Sequence, residues 1–167
     1  MSSVYTMREL LGRSFSRYIT VKPCGLELQY GKIVQSISAT ILAFRPARTL
    51  YQNKKPKCRS LDGIQSFTEG RACASCLLRK ACTPQICLEI LHESIPFRLI
   101  LSYTSARNFL TFISILRKKE QPVEGSGIII TVRDRGRWGE LCFSSASTNE
   151  STKNPLPKHN VPINLPF

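Results

Sequence analysis

Five of the seven cysteines fall within thirty residues, at Cys58, Cys73, Cys76, Cys82 and Cys87, with gaps of 14, two, five and four residues. Such a run leaves few options: thiols buried as small hydrophobes, oxidised pairs, or ligands to a shared metal. The Cys73-Ala-Ser-Cys76 pair suits the metal reading, because a tight turn brings both sulfurs to about 2.3 Å from one zinc. Cys58 upstream and Cys82 or Cys87 downstream would complete a tetrahedral set. Cys82 sits in a Thr-Pro turn, whereas Cys87 lies inside the apparent strand Ile86-Cys-Leu-Glu-Ile, so Cys82 is preferred and Cys87 is its alternative. Cys24 and Cys142 stand alone beside apolar neighbours and read as buried thiols.

Four sulfurs close a zinc shell, while a hydrolytic zinc keeps an open position with a base nearby. Only Asp62 and Glu69 are near, and the chain has no His-x-Glu before its cysteine pair and no Walker loop. The expectation is a structural Zn2+ and no catalysis.

Charge points to the partner. Lys and Arg number 24 against 11 acids, a net charge of +13, which favours a polyanion. Nucleic acid is the first candidate and an anionic membrane surface the second; no apolar run approaches the ~18 residues of a transmembrane helix, and the partner expected is nucleic acid with no membrane. The N-terminus lacks an apolar signal core, which makes a cytoplasmic protein with reduced thiols the expectation. Residues 1–20, with Arg and Ser and few acids, also loosely fit an organellar transit peptide.

Residues 28–61 contain no acid, yet carry Lys32, Arg45, Arg48, Lys54, Lys55, Lys57 and Arg59, with Tyr30, Phe44 and Tyr51 between them. Lys and Arg displace counterions from phosphates, and rings stack on unpaired bases at about 1–3 kcal/mol each, so the mixture points to single strands. The nucleic-acid-binding candidates are Arg45, Arg48, Tyr51, Lys54, Lys55 and Lys57, together with Arg135, Arg137 and Trp138 in a second basic segment.

Hydrophobic periodicity gives a mainly β, α+β chain. Residues 3–20 have a helical or irregular look, with Leu10, Leu11 and Phe15 as buried positions, and residues 26–50 hold one or two strands. Residues 52–87 form a cysteine-bearing excursion that a metal would organise. Ile86–His92 and Pro96–Ser102 are strands around a Glu93-Ser94 turn. A helix follows a Thr or Ser N-cap, burying Phe109, Phe112, Ile113 and Leu116. Ile128–Val132 and Leu141–Ser144 form a hairpin with Trp138 at its basic tip. The expected division is a domain over 1–145 and a disordered tail over 146–167. Short strands, one inserted helix and basic, aromatic loops together suit an OB-like barrel plugged by that helix.

The segments Lys57-Cys-Arg-Ser-Leu-Asp-Gly63, Gly70-Arg-Ala-Cys-Ala-Ser-Cys76 and Pro96-Phe-Arg-Leu-Ile-Leu-Ser-Tyr-Thr-Ser105 carry a resemblance. Over about residues 30–145 the chain resembles a phage- and plasmid-borne family of zinc-containing, OB-like single-stranded DNA-binding proteins. The resemblance implies single-stranded DNA ahead of RNA as partner, work on a mobile element, and Cys58, Cys73 and Cys76 as ligands with Cys82 or Cys87 as the fourth. Leu77 stands where the family often has Pro. The last residues, Asn164-Leu-Pro-Phe167, are similar to the partner-docking tips of bacterial single-stranded DNA-binding proteins, although the acidic run before such tips is missing. Alternatives to single-strand binding are a zinc-stabilised protein–protein adaptor and a duplex-binding regulator.

Overall fold

Alternating apolar and polar residues drive most of this chain into strands. The computed structural model describes residues 17–66 and 70–146. In chain order the strands are β1 (Tyr18–Lys22), β2 (Gly25–Glu27), β3 (Ile33–Val34), β4 (Ser36–Gln52), β5 (Lys55–Ser60), β6 (Thr83–His92), β7 (Ile95–Leu101), β8 (Gly127–Asp134) and β9 (Gly139–Ser145). One α-helix, α1 (Tyr103–Lys118), separates β7 from β8, and short 3-10 turns cover Cys73–Ser75 and Arg79–Ala81. Among the described residues the fold is mainly β, with one α-helix on an open mixed sheet.

The sheet runs β3-β2-β1-β7-β6-β4-β8-β9, with β5 added to β4. All its pairings are antiparallel except β1 with β7, where Tyr18 and Ile19 lie beside Arg98 and Leu99. β4 is the hub. Residues Ser36–Thr40 pair with β8, Thr40–Thr49 with β6, and Arg48–Gln52 with β5. Register shifts between Ile41 and Ala43, and between Leu50 and Tyr51, let one 17-residue strand bend through three partners. The two connecting hairpins turn at Asn53-Lys54 and Glu93-Ser94, both pairs at positive φ, the backbone that matches strand twist.

Helix α1 forms because Ala106, Phe109, Phe112, Ile113 and Leu116 make one apolar stripe, and all five are buried. Arg117 and Lys118 in the last turn complement the negative end of the helix. Phe109 is the centre of the core, edge-on to Phe44 at 5.4 Å and to Phe143 at 5.2 Å. Cutting such a ring to Ala typically costs about 3–5 kcal/mol. Ile41, Leu88, Ile90, Leu99, Leu101, Ile128, Ile130 and Leu141 complete the interior from the sheet side.

Several expectations change. The barrel does not close into one ladder: β3 and β9 remain edges. Residues 26–50, expected to hold one or two strands, hold the end of β2, the short β3 and most of the 17-residue β4, and Lys55–Ser60 join the main sheet instead of the excursion. Tyr18–Lys22 are strand, not helix, while Leu10, Leu11 and Phe15 lie outside the described residues, as does the tail from residue 147, including Leu165–Phe167. The N-cap is a serine, Ser102, but its side chain makes no cap bond. Phe44 is partly buried and packs against the core, and Cys24 is exposed rather than buried.

Candidate nucleic-acid interface and thiol cluster

The excursion begins where β5 ends. Asp62 organises its first turn: the amides of Ile64 and Gln65 donate to Oδ1 at 2.8 and 3.0 Å, and the Ser60 hydroxyl donates at 3.0 Å. Burial works to raise the Asp62 pKa, but those donors outweigh it and hold the carboxyl below its ordinary value. Gln65 then bridges Ala72, and the Cys73 amide donates to the Ile64 carbonyl at 2.6 Å. The chain thus folds back and delivers Cys73 beside the exit of β5. Two tight turns follow: the Cys76 amide donates to the Cys73 carbonyl at 3.3 Å, and the Cys82 amide to the Arg79 carbonyl at 3.2 Å.

This folding gathers four of the five clustered cysteines. The Cys82 thiol is pushed up by burial first, then by its neighbours Cys76, Cys58 and Cys73, with Arg48 opposing the shift. Cys87 is elsewhere. It is fully buried in β6, its charged surroundings are Glu89, Arg98, Arg45 and Arg59, and burial pushes its thiol up to about 11. Cys82 therefore shares the neighbourhood of Cys58, Cys73 and Cys76, and Cys87 does not. The sulfurs are not drawn onto one centre. Cys58 Sγ contacts Ser66 Oγ at 3.1 Å, Cys82 Sγ lies 3.5 Å from the Leu78 carbonyl, and no metal-holding group of three or more His, Cys, Asp or Glu occurs among the described residues. In donor chemistry the set fits zinc: four thiols, two of them on one turn, with no carboxylate among them. The excursion also lacks a core, since Ser66 is the one buried residue described between positions 61 and 82.

Beside the thiols, the β4–β5 hairpin carries the basic candidates. Lys54 occupies the turn, and Lys54, Lys55 and Lys57 are exposed with no ion pair among the described residues. Tyr51 is exposed and its hydroxyl accepts from Gln85 Nε2 at 3.4 Å, which in turn is tied to Thr49 at 2.6 Å through its carbonyl. Arg48 is half-buried near Cys82. Arg45 has a second duty: Arg45 and Arg98 clasp the buried Glu89, each at 3.0 Å. A carboxylate removed from water needs such partners, so the trio leaves one surplus positive charge on the sheet. The ring of Tyr30 lies outside what is described, as does Glu69.

The β8–β9 tip is built differently. The Arg135 amide donates to the Trp138 carbonyl at 3.0 Å, the Gly136 amide donates to Asp134 at 2.6 Å, and Gly136 adopts φ +80°, which favours glycine. Asn108 of α1 bonds Glu140 at 3.0 Å and the Leu141 carbonyl at 2.8 Å, while Arg135 pairs with Glu140 at 2.7 Å. Burial raises the Glu140 pKa, but Asn108, Arg135 and Arg133 overcome it and hold the carboxyl low. Gly139 is obligatory for another reason: a Cβ there would collide with the Lys22 carbonyl oxygen and stand 2.8 Å from Val132 Cγ1. That close approach rests the start of β9 on the end of β1. Arg133, Arg135, Arg137 and Trp138 are left exposed.

Sequence reasoning did not single out Tyr103. It was readable only as the lead-in to a helix, yet its ring is exposed and shares a cleft with Trp138. No helix among the described residues is long and apolar enough to cross a membrane. Comparison with family models, curated proteins and solved structures gave no match to this chain.

Proposed function

We propose that this chain binds single-stranded nucleic acid, DNA ahead of RNA, without catalysing a reaction, and that a structural zinc on Cys58, Cys73, Cys76 and Cys82 holds its excursion in shape. The observation that carries the reading is the exposed Lys54, Lys55 and Lys57, which have no ion pair among the described residues, with Tyr51 beside them and next to the gathered thiols. Lysines without ion pairs are free to replace the counterions of a phosphate backbone.

The topology agrees with an OB-like reading. β4, β6, β7, β8 and β9 adjoin in the order β7-β6-β4-β8-β9, with the helix inserted between β7 and β8. A partly open five-stranded Greek key of this kind presents its oligonucleotide site on the second and third strands and on the loops joining the first to the second and the fourth to the fifth. Here those loops are the cysteine excursion and the Trp138 tip. The resemblance to the phage and plasmid family adds work on a mobile element. Zinc, when bound, would neutralise and cross-link thiolates; the chain's own residues supply the phosphate and base contacts.

Titration of the purified protein with labelled single- and double-stranded oligonucleotides at two salt concentrations tests this. The expected result is tighter binding to single strands, weak sequence preference, and a steep loss with salt. Each of Lys54→Ala, Lys55→Ala and Lys57→Ala should flatten the salt slope by about 0.7–1 for every phosphate left without its lysine. Equal or tighter duplex binding would remove the stacking part of the reading. Salt-independent binding would remove the electrostatic part.

A further inference from the structure

The end of β1, the end of β7, the first turn of α1 and the β8–β9 tip enclose a cleft of ≈ 340 Å³ lined by Val21, Ile100, Ser102, Tyr103, Thr104, Ser105, Trp138 and Gly139. Its size falls in the range of small-molecule sites, roughly 300–1,000 Å³. Two aromatic rings stand in it more than half exposed, Tyr103 at 53% and Trp138 at 52%. Neither is needed by the core, and each leaves a large apolar surface in water. The floor is apolar, from Val21 and Ile100, while Ser102 and Thr104 bring exposed hydroxyls: Ser102 donates to Ser105 Oγ at 3.3 Å, and its contact with Thr104 is only 3.5 Å, too long to commit the Thr104 hydroxyl.

Charge identifies the occupant. Arg133, Arg135 and Arg137 precede Trp138 in the same hairpin, all exposed. Glu140 neutralises Arg135 and lies near Arg133, and Asp134 is spent on the Gly136 amide, so Arg137 has no ion pair among the described residues. A flat apolar group carrying polar edges fits these walls, with rings for the face and hydroxyls for the edge, and Arg137, the chain neighbour of Trp138 outside the lining, supplies positive charge for an attached anion. We infer that the cleft takes one unpaired nucleobase of the bound strand, with Trp138 and Tyr103 as its stacking surfaces. The inference rests on the proposed function and deepens it, because it separates a base-capturing cleft from the phosphate-binding lysines of β4–β5. The β6–β7 and β4–β6 registers bring the end of β7 alongside β4, the strand that runs on into the lysine turn. Leu101 pairs with Ile86 and Ile86 with Pro46, so Ser102 lies level with Ala47, two strand spacings or about 10 Å away.

Trp138 is the chain's single tryptophan, so its emission reports this cleft alone. The full-length protein is titrated with end-labelled oligothymidylate, following label anisotropy and tryptophan emission together, and then with an abasic strand of equal length. Emission should change in step with binding of the oligothymidylate and stay flat with the abasic strand. Trp138→Ala and Tyr103→Ala should each weaken oligothymidylate binding roughly 5- to 150-fold, the range seen when a base-stacking ring is removed, with an unchanged salt slope. Trp138→Phe should retain most of the affinity, which distinguishes stacking from misfolding. If the labelled strand binds while emission is indifferent and Tyr103→Ala is silent, the cleft assignment fails and the broader reading stands. If no strand binds, both fail.

Discussion

The cysteine excursion and the β8–β9 tip are both basic loops, but they are held by opposite means. The tip is fixed by the protein itself: Asn108 and Arg135 on Glu140, a turn closed from Arg135 to Trp138, and Gly139 pressed on the backbone of β1. The excursion has the Asp62 turn and a short bridge at Gln65 and Ala72, and above them Leu77 and Leu78 stand out in solvent, Leu77 at 99% exposure. Ordering a residue costs about 1–2 kcal/mol, and no buried apolar side chain among the described residues of 61–82 offsets it. A structural zinc supplies about 10–16 kcal/mol in small metal-folded units, which is the right scale for the missing support. A loop can therefore be made rigid by packing where a core lies beneath it, and needs another source where none does.

Removing the proposed zinc should break the comparison most visibly. In chelator, or in Cys73→Ser, amide protection across residues 61–82 should fall to that of an open loop while the amides of β6, β7 and α1 keep their global protection, read by hydrogen exchange. Cys82→Ser should behave the same way. Cys87→Ser should instead keep the metal and lower core stability by about 1–3 kcal/mol, because it buries a hydroxyl where a thiol fitted. Identical metal content in the Cys82 and Cys87 variants would undo the ligand assignment.

Gly139→Ala attacks the other loop. The new methyl has no room against Lys22 and Val132, so the tip must shift, at about 1–3 kcal/mol by chemical denaturation. Oligonucleotide-induced change in Trp138 emission should shrink while the excursion's hydrogen exchange stays as it was.

Glu140→Gln gives the smallest effect and has a pH signature. The Glu140 carboxyl is held below its ordinary value in the folded state, so its contribution is complete above the unfolded value of about 4.3 and is lost as pH falls through the depressed folded value. The wild type should thus lose its advantage over Glu140→Gln as acid titrates that window, in paired stability curves. Curves that stay parallel through it would remove Glu140 from the hairpin's support.

Legibility in the sequence followed the same divide. The β6–β7 pair with its Glu93-Ser94 turn, helix α1 with its Phe109 to Leu116 stripe, and the β8–β9 hairpin were readable, because each is local and periodic. The 17-residue β4 was not, since its continuity depends on three partners distant in sequence. β5 was hidden because Lys55-Pro-Lys57 has loop composition; as an addition to β4 it tolerates proline and exposed lysines. Phe44 looked like one of the rings among the charges, yet strand alternation turns it onto Phe109 and Arg45 onto Glu89. Which cysteines meet could be narrowed by spacing, but their common neighbourhood depends on the chain reversal at Gln65 and Ala72. Tyr103 carried no signal of its own, because the cleft that gives its ring a purpose is assembled from four separate elements.

Native mass spectrometry of the full chain, mixed with equal amounts of a single strand and its duplex, addresses the central claim in one measurement. The account predicts a mass increment of one zinc per chain and a complex with the single strand that outweighs the duplex complex. A metal-free chain that prefers the duplex, or binds neither, would contradict it.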